Sequence, residues 1–453
     1  MPDQTKANNY LQGPIIRTML ATGIAMIPAT LAMSLFNIVD TYFVSRLGVS
    51  ALAAMGFCFP IVSIISCIYH SISTAVMTLL SHAIGREDER DASTIVLHGI
   101  IFMLLSAILI GIAGSLVFRP LCAMWVTTPE VLDYVCQFMI VWLLGSFTIS
   151  LGMCTNKLVL ALGYPRASAL WMIAALVLNA ILEPIFIFGI GPVPRLEMYG
   201  AAIATVIAQS ITPIGCLYIL HKRLHIFNRD ALDLPAWHHN IWRIIKFSIP
   251  TILGMIIMPL SGFVATTLAA HFNDKVVAAM ACITRLESIA FVVPMSIGMA
   301  LMPMFAQNYG AKQFERIDDI RRISMNFAGI FLLVCAVIFT ILAKPMVSLF
   351  TDDAEVIDLA SFGLRIVCWG FWAQEVHRFG GFVFNGCNRP TIGALFNIVK
   401  IVLFLIPLML LSLAFDDVNW IFYGRLLSEV ISAIIVFFIA KYFVNHLKTG
   451  DFK

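Results

Sequence analysis

The sequence predicts an all-α integral membrane protein with twelve transmembrane helices in two pseudo-symmetric six-helix bundles. Three observations predict it. Of 453 residues, 60% are hydrophobic and only 12% charged, with a mean hydropathy of +0.92. A soluble chain carries about 25% charged residues and could not cover itself so sparsely. The apolar residues fall in runs of about twenty, the length that crosses a hydrocarbon core of roughly 30 Å. Finally, one set of residues recurs at a single spacing through both halves. Backbone amides in lipid must be satisfied within their own segment, and nothing alternates as barrel strands do, so the spans are helices.

The spans centre at about residues 30, 65, 106, 144, 176, 210, 255, 290, 335, 370, 402 and 431. The first is too long for a cleavable signal peptide and lacks a small-residue cleavage site. Pro28 interrupts it and removes a backbone donor, so a bend is expected there and Pro28 is the candidate hinge. The second span carries Ala53-Ala54-Met55 and ends at Gly85 of "GREDERDA". Pro120 lies late in the third; Val131 and Asp133 open the fourth; Pro165 opens the fifth. Each has a counterpart 225 residues later: Ala278-Ala279-Met280, Gly310 of "GAKQFERI", Pro345, Val356, Asp358 and Pro390. An even number of spans separates the copies, so both have the same orientation. The expected domains are a first lobe at 1–220, a basic linker at 221–240 ("HKRLHIFNRDALDLPAWHHN", with Pro235) and a second lobe at 241–453.

Charge placement predicts the orientation. With the amino terminus inside, 19 of the 29 lysines and arginines, Lys157 among them, fall in cytoplasmic segments. Five lie outside: Arg46, Arg119, Arg195, Lys275 and Lys344. Cytoplasmic loops attract basic residues, so both termini are expected to be cytoplasmic. The net charge of +3 says little by itself, and no nucleic-acid partner is expected. Ten cysteines without a CxxC pair read as small packing residues.

Parallel repeats of this kind suggest a transporter rocking about a central cavity. No G-x-x-x-x-G-K-[ST] loop is present, so energy is expected from an ion gradient, and membrane-embedded ionisable groups become the candidates. "SLFNIVDTYFVSRLG" holds one acid, Asp40, about 9 Å along the helix from Arg46. Asn179 and Glu183 lie roughly 20 and 26 Å beyond Arg166 on span five and share one face. Asn37, three before Asp40, is placed with them. An acid at that depth costs roughly 2.5–3.5 kcal/mol and usually lines a pathway or relays protons. The repeat supplies a control: Asp40, Asn179 and Glu183 correspond to Ala265, Phe404 and Leu408. The fold therefore accepts apolar residues at those places. Pro184 either frees the carbonyl of Ala180 or ends span five.

The chain resembles the multidrug and toxin extrusion (MATE) family, in its DinF-like bacterial branch, over nearly its whole length. The carriers are "NIVDTYFVSRLG", "GYPRAS" and "NAILEP", then "RLESIAFVVPMSIGMALMPMFAQNYGAKQFERI" and "FNGCNRPTIGA". The resemblance implies a monomeric antiporter of the bacterial inner membrane, expelling amphipathic, often cationic, drugs or dyes in exchange for inward H⁺ or, alternatively, Na⁺. It also implies an amino-lobe cavity in which Asp40, Asn179 and Glu183 handle the coupling ion, with no other cofactor and no resident metal. Met33, Phe36, Trp171 and Met172 are expected to form an adaptable apolar wall, with Asn37, Asn156, Thr205 and Gln209 as polar lining. The sequence departs from the branch at Glu183, where many relatives carry Asp. It also lacks the span-seven acid of the NorM-like branch, for which Glu287 and Glu375 are possible substitutes. A lipid-linked oligosaccharide flippase of the same superfamily would need a cationic cavity, whereas this amino-lobe set is acidic. A lipid-modifying membrane enzyme would need clustered catalytic groups at one membrane face, and none is found, so no enzyme activity is expected. In span ten, Glu375 and Arg378 are spaced to pair.

Overall fold

The computed structural model describes residues 8–450, apart from 125, 127, 192 and 227–231. Among the described residues, twelve helices are long and apolar enough to cross a membrane. Spans 1 to 6 are Ile15–Ser45, Val49–Gly85, Glu89–Ala123, Pro129–Ala161, Pro165–Phe188 and Glu197–Leu224. Spans 7 to 12 are Leu234–Phe272, Asp274–Gly310, Phe314–Val347, Ala354–Gly386, Pro390–Ala414 and Asn419–Thr449.

The repeat reappears in the element boundaries. Spans 2, 3, 4 and 5 start at Val49, Glu89, Pro129 and Pro165; spans 8 to 11 start at Asp274, Phe314, Ala354 and Pro390, each 225 residues on. The tight turns repeat with the same spacing. Glu87 and Lys312 both have left-handed backbones, with φ of 59° and 58°, as do Gly163 and Asn388 at 82° and 59°. Local chemistry sets the helix starts. Asp88 and Asn273 each accept a hydrogen bond, at 2.9 Å, from the amide three residues on, Asp91 and Val276. Asp353 accepts from Glu355 and Val356. These are N-caps, each worth about 1 kcal/mol. Pro129, Pro165 and Pro390 open spans 4, 5 and 11, where a missing N–H costs nothing.

The described residues divide into two compact units: 8–12 with 24–248, and 13–23 with 249–450. These units run differently from the expected ranges of 1–220, 221–240 and 241–453. Span 7 starts at Leu234, inside the expected linker, and its first turns are held to span 3 by side chains of the first unit. Asp233 accepts from Arg90 at 3.0 Å, Asn240 meets His98 at 3.2 Å, and Arg243 reaches Asp91 at 3.4 Å. The start of span 1 groups with the second unit, where Arg316 donates to the carbonyl of Gly13 and Gly23 abuts Ile297. Part of the expected linker, including Arg229, lies outside the described residues.

The first unit's core joins Val44, Met55, Phe118, Phe138, Trp142 and Met198; the second's joins Leu286, Phe291, Phe339, Leu364, Phe371 and Phe422. Small residues let helices approach. A Cβ on Gly215 would sit 2.0 Å from the indole of Trp171, whereas a Cβ on Gly381 would meet nothing within 4 Å. Gly215→Ala is expected to destabilise the protein by about 1–3 kcal/mol through overpacking. Gly381→Ala is expected to be neutral or stabilising by up to about 1 kcal/mol. Thermal unfolding of the two variants in detergent compares them, and equal melting temperatures would contradict the packing argument.

Candidate functional site

The first unit brings an acid pair together from spans far apart in sequence. Asp40 comes from span 1; Asn179 and Glu183 come from one face of span 5. Asp40 is 6% exposed, and Asn179 and Glu183 are fully buried. The carboxyl of Glu183 faces both the carboxyl of Asp40 and the amide of Asn179, and the thiol of Cys58 on span 2 lies beside Asp40. Although they are neighbours, neither oxygen of Glu183, nor Oδ1 of Asp40, nor either amide atom of Asn179 makes a hydrogen bond of ordinary geometry with a described group. Among the described residues no lysine or arginine pairs with either acid. Two carboxylates that face each other away from water repel, and a shared proton or a small bound cation relieves the repulsion.

The prolines act within continuous helices. Span 5 runs to Phe188, so Pro184 does not end it. Instead it denies the carbonyl of Ala180 its usual helical donor, one residue from Asn179. Pro28 likewise sits inside an unbroken span 1 and withdraws the donor from Ile24, the residue at which the span enters the first unit.

The other candidates are placed as follows. Asn37 is exposed, and its amide donates to the carbonyl of Met33 at 3.2 Å. The structure does not bring it to Asp40, because three residues leave about 60° between side chains on a helix. Met33 is 52% exposed and Phe36 half-buried. Asn156 is engaged with Ser168, donating to its carbonyl at 3.0 Å and accepting from its hydroxyl at 2.8 Å. That closed pair ties span 4 to the start of span 5. Trp171 packs over Gly215; Met172 and Gln209 are half-buried and Thr205 is buried.

Sequence reasoning missed Lys157. Counted as a cytoplasmic charge, it lies four residues inside the end of span 4, and its ammonium turns inward to span 2. It donates to the carbonyl of His70 at 3.0 Å and the hydroxyl of Thr74 at 2.7 Å. Helical side chains lean toward the helix start, which for Lys157 means into the bundle. The available signal was its place within the apolar run "NKLVLA".

Several of the second unit's intramembrane ionisable groups are paired. Arg378 meets Glu375 at 2.5 Å, as their spacing predicts. Glu287 turns from its near neighbour Arg285 to Arg425 on span 12, at 2.5 Å. Lys400 meets Glu429 at 2.6 Å, a pair that sequence reasoning did not find. Lys400 also opens a wide, π-type turn at Lys400–Leu405. The segment that corresponds to it by the repeat, in span 5, is ordinary α-helix.

Twelve spans, a six-helix arrangement used twice, and an acid pair sealed within one copy define a polytopic membrane transporter. The chain belongs to the MATE family: the MatE signature matches residues 25–185 and 250–411. It is 29% identical over 434 residues to a protein of Shewanella oneidensis named FAD transporter, with 96% of each chain covered. To the multidrug export protein MepA of Staphylococcus aureus it is 23% identical over 432 residues, covering 94% of this chain and 93% of the other. A crystal structure of the Vibrio cholerae MATE transporter VcmN superposes with a TM-score of 0.89 at 25% identity, covering 95% of this chain and 97% of that one. These relatives are transporters, not enzymes.

Proposed function

We propose that the chain is a secondary antiporter that exports amphipathic compounds in exchange for inward protons, with Asp40 and Glu183 as the coupling acids. One observation carries the reading: two carboxyls from spans 1 and 5 face each other, buried and without a cationic partner. Their mutual repulsion makes the pair sensitive to a single proton. In the proposed cycle an ionised Asp40 helps hold the cargo, and a proton from outside neutralises the pair. Span 1 then re-settles near Pro28, and the cargo leaves. The charge distribution supports placing both termini in the cytoplasm, and the bacterial relatives support an inner-membrane setting.

Sodium is the rival coupling ion, since Asp40, Glu183, Asn179 and the carbonyl of Ala180 supply the oxygens a hard cation takes. An acid jump and a sodium jump on proteoliposomes loaded with ethidium separate the two. Acid alone is expected to drive dye movement; movement driven by sodium at constant pH would overturn proton coupling.

A second reading of the cargo has its own support. The Shewanella oneidensis relative is named for a flavin dinucleotide, and it aligns end to end with this chain at higher identity than the multidrug export protein does. An anionic flavin nucleotide therefore stands beside cationic dyes as a cargo class.

A further inference from the structure

We propose that Lys157, with Thr74 and His70, forms an anion-binding site inside the first bundle that receives the phosphate of a transported molecule. The inference rests on the flavin-nucleotide reading of the cargo and deepens it by locating the group that recognises the phosphate.

The first support is depth. His70 lies three residues past the centre of the 37-residue span 2, about 4.5 Å along the helix axis. The ammonium bound to its carbonyl therefore sits near mid-span, although the Cα of Lys157 is near a helix end. A cation at such depth is costly and faces a partner or a water-filled cavity.

The second support is the missing counter-charge. Three other cations within spans have a carboxylate against them: Lys400 has Glu429, Arg425 has Glu287 and Arg378 has Glu375. Lys157 has only a carbonyl and a hydroxyl. The titratable groups facing it are the imidazole of His70 and the thiol of Cys154, and neither is an obligate anion.

The third support is spare donor capacity. An ammonium carries three N–H bonds, and two are used. The Nδ1 of His70 is buried with no hydrogen-bond partner among the described atoms. Lys157 is half-buried as a residue, while its ammonium lies deep in the bundle against span 2. A doubly charged phosphate entering here gains a charge-assisted hydrogen bond and supplies the counter-charge the protein leaves out. In the repeat, Lys157 corresponds to Phe382, so the six-helix arrangement does not require a cation at this place.

The test needs no ion gradient, so its outcome is independent of proton coupling. Riboflavin and riboflavin 5′-phosphate share a ring system and differ by one phosphate. Their binding to the purified full-length chain in detergent is followed by flavin fluorescence. The wild type is expected to bind the phosphorylated form at least about tenfold more tightly, the scale of a charge-assisted hydrogen bond. Lys157→Gln is expected to bring the affinity ratio close to one, and Lys157→Arg to restore most of it. A wild-type ratio near one, or binding of neither flavin, overturns the proposal without recourse to any variant. So does a preference for phosphate that survives Lys157→Gln in a protein that melts like the parent.

Discussion

Asp40→Asn is expected to reduce proton-driven dye efflux to the level of protein-free vesicles while leaving the protein folded. The substitution keeps the shape of the side chain and removes its ability to change charge. Because Asp40 faces Glu183 in a buried place with no cation, losing one carboxylate relieves repulsion. The melting temperature in detergent should therefore equal or exceed that of the parent. Glu183→Gln should act in the same direction. Normal acid-driven efflux by Asp40→Asn would remove the basis of the coupling proposal.

The second large effect belongs to stability. Lys400 and Glu429 are 12% and 8% exposed at the side chain and meet at 2.6 Å. Removing one partner leaves the other charge buried without its close counter-charge, which costs about 3–5 kcal/mol for a buried pair, whereas replacing both with apolar residues is often close to neutral. Glu429→Leu and Lys400→Met are each expected to lower the melting temperature and membrane yield sharply. The double variant Lys400→Met with Glu429→Leu should recover most of both. A double variant as unstable as the worse single one would show that the pair does not act through charge compensation.

Much of the architecture was legible in the chain itself. Hydropathy located all twelve spans because lipid leaves a helix as the way to satisfy backbone amides in one segment. The 225-residue repeat was legible too, in Ala53-Ala54-Met55, Gly85, Pro120, Val131, Asp133 and Pro165 and their counterparts, because a glycine at a helix end and a proline at a helix start are local requirements that both copies share. Asp40, Asn179 and Glu183 stood out for a related reason. A polar residue at membrane depth is expensive, and the second half showed that the fold does not require one there.

Partnership across spans was not legible. Asn37 and Asp40 share a helix, yet a 60° difference leaves one exposed and the other buried. Glu287 lies two residues from Arg285 and pairs with Arg425, 138 positions away. The division of spans 1 and 7 between the two units depends on a few side chains, Arg243 and Asn240 among them, whose partners lie on another helix. Lys157 is the clearest case, for its place near a helix end implied a cytoplasmic charge and only packing against span 2 turned it inward. Hydropathy and turn chemistry act within a few residues along the chain, so the sequence alone determined the spans, their order and the repeat. Which buried charges face each other depends on helix rotation and side-chain direction, which only the packed tertiary structure decided.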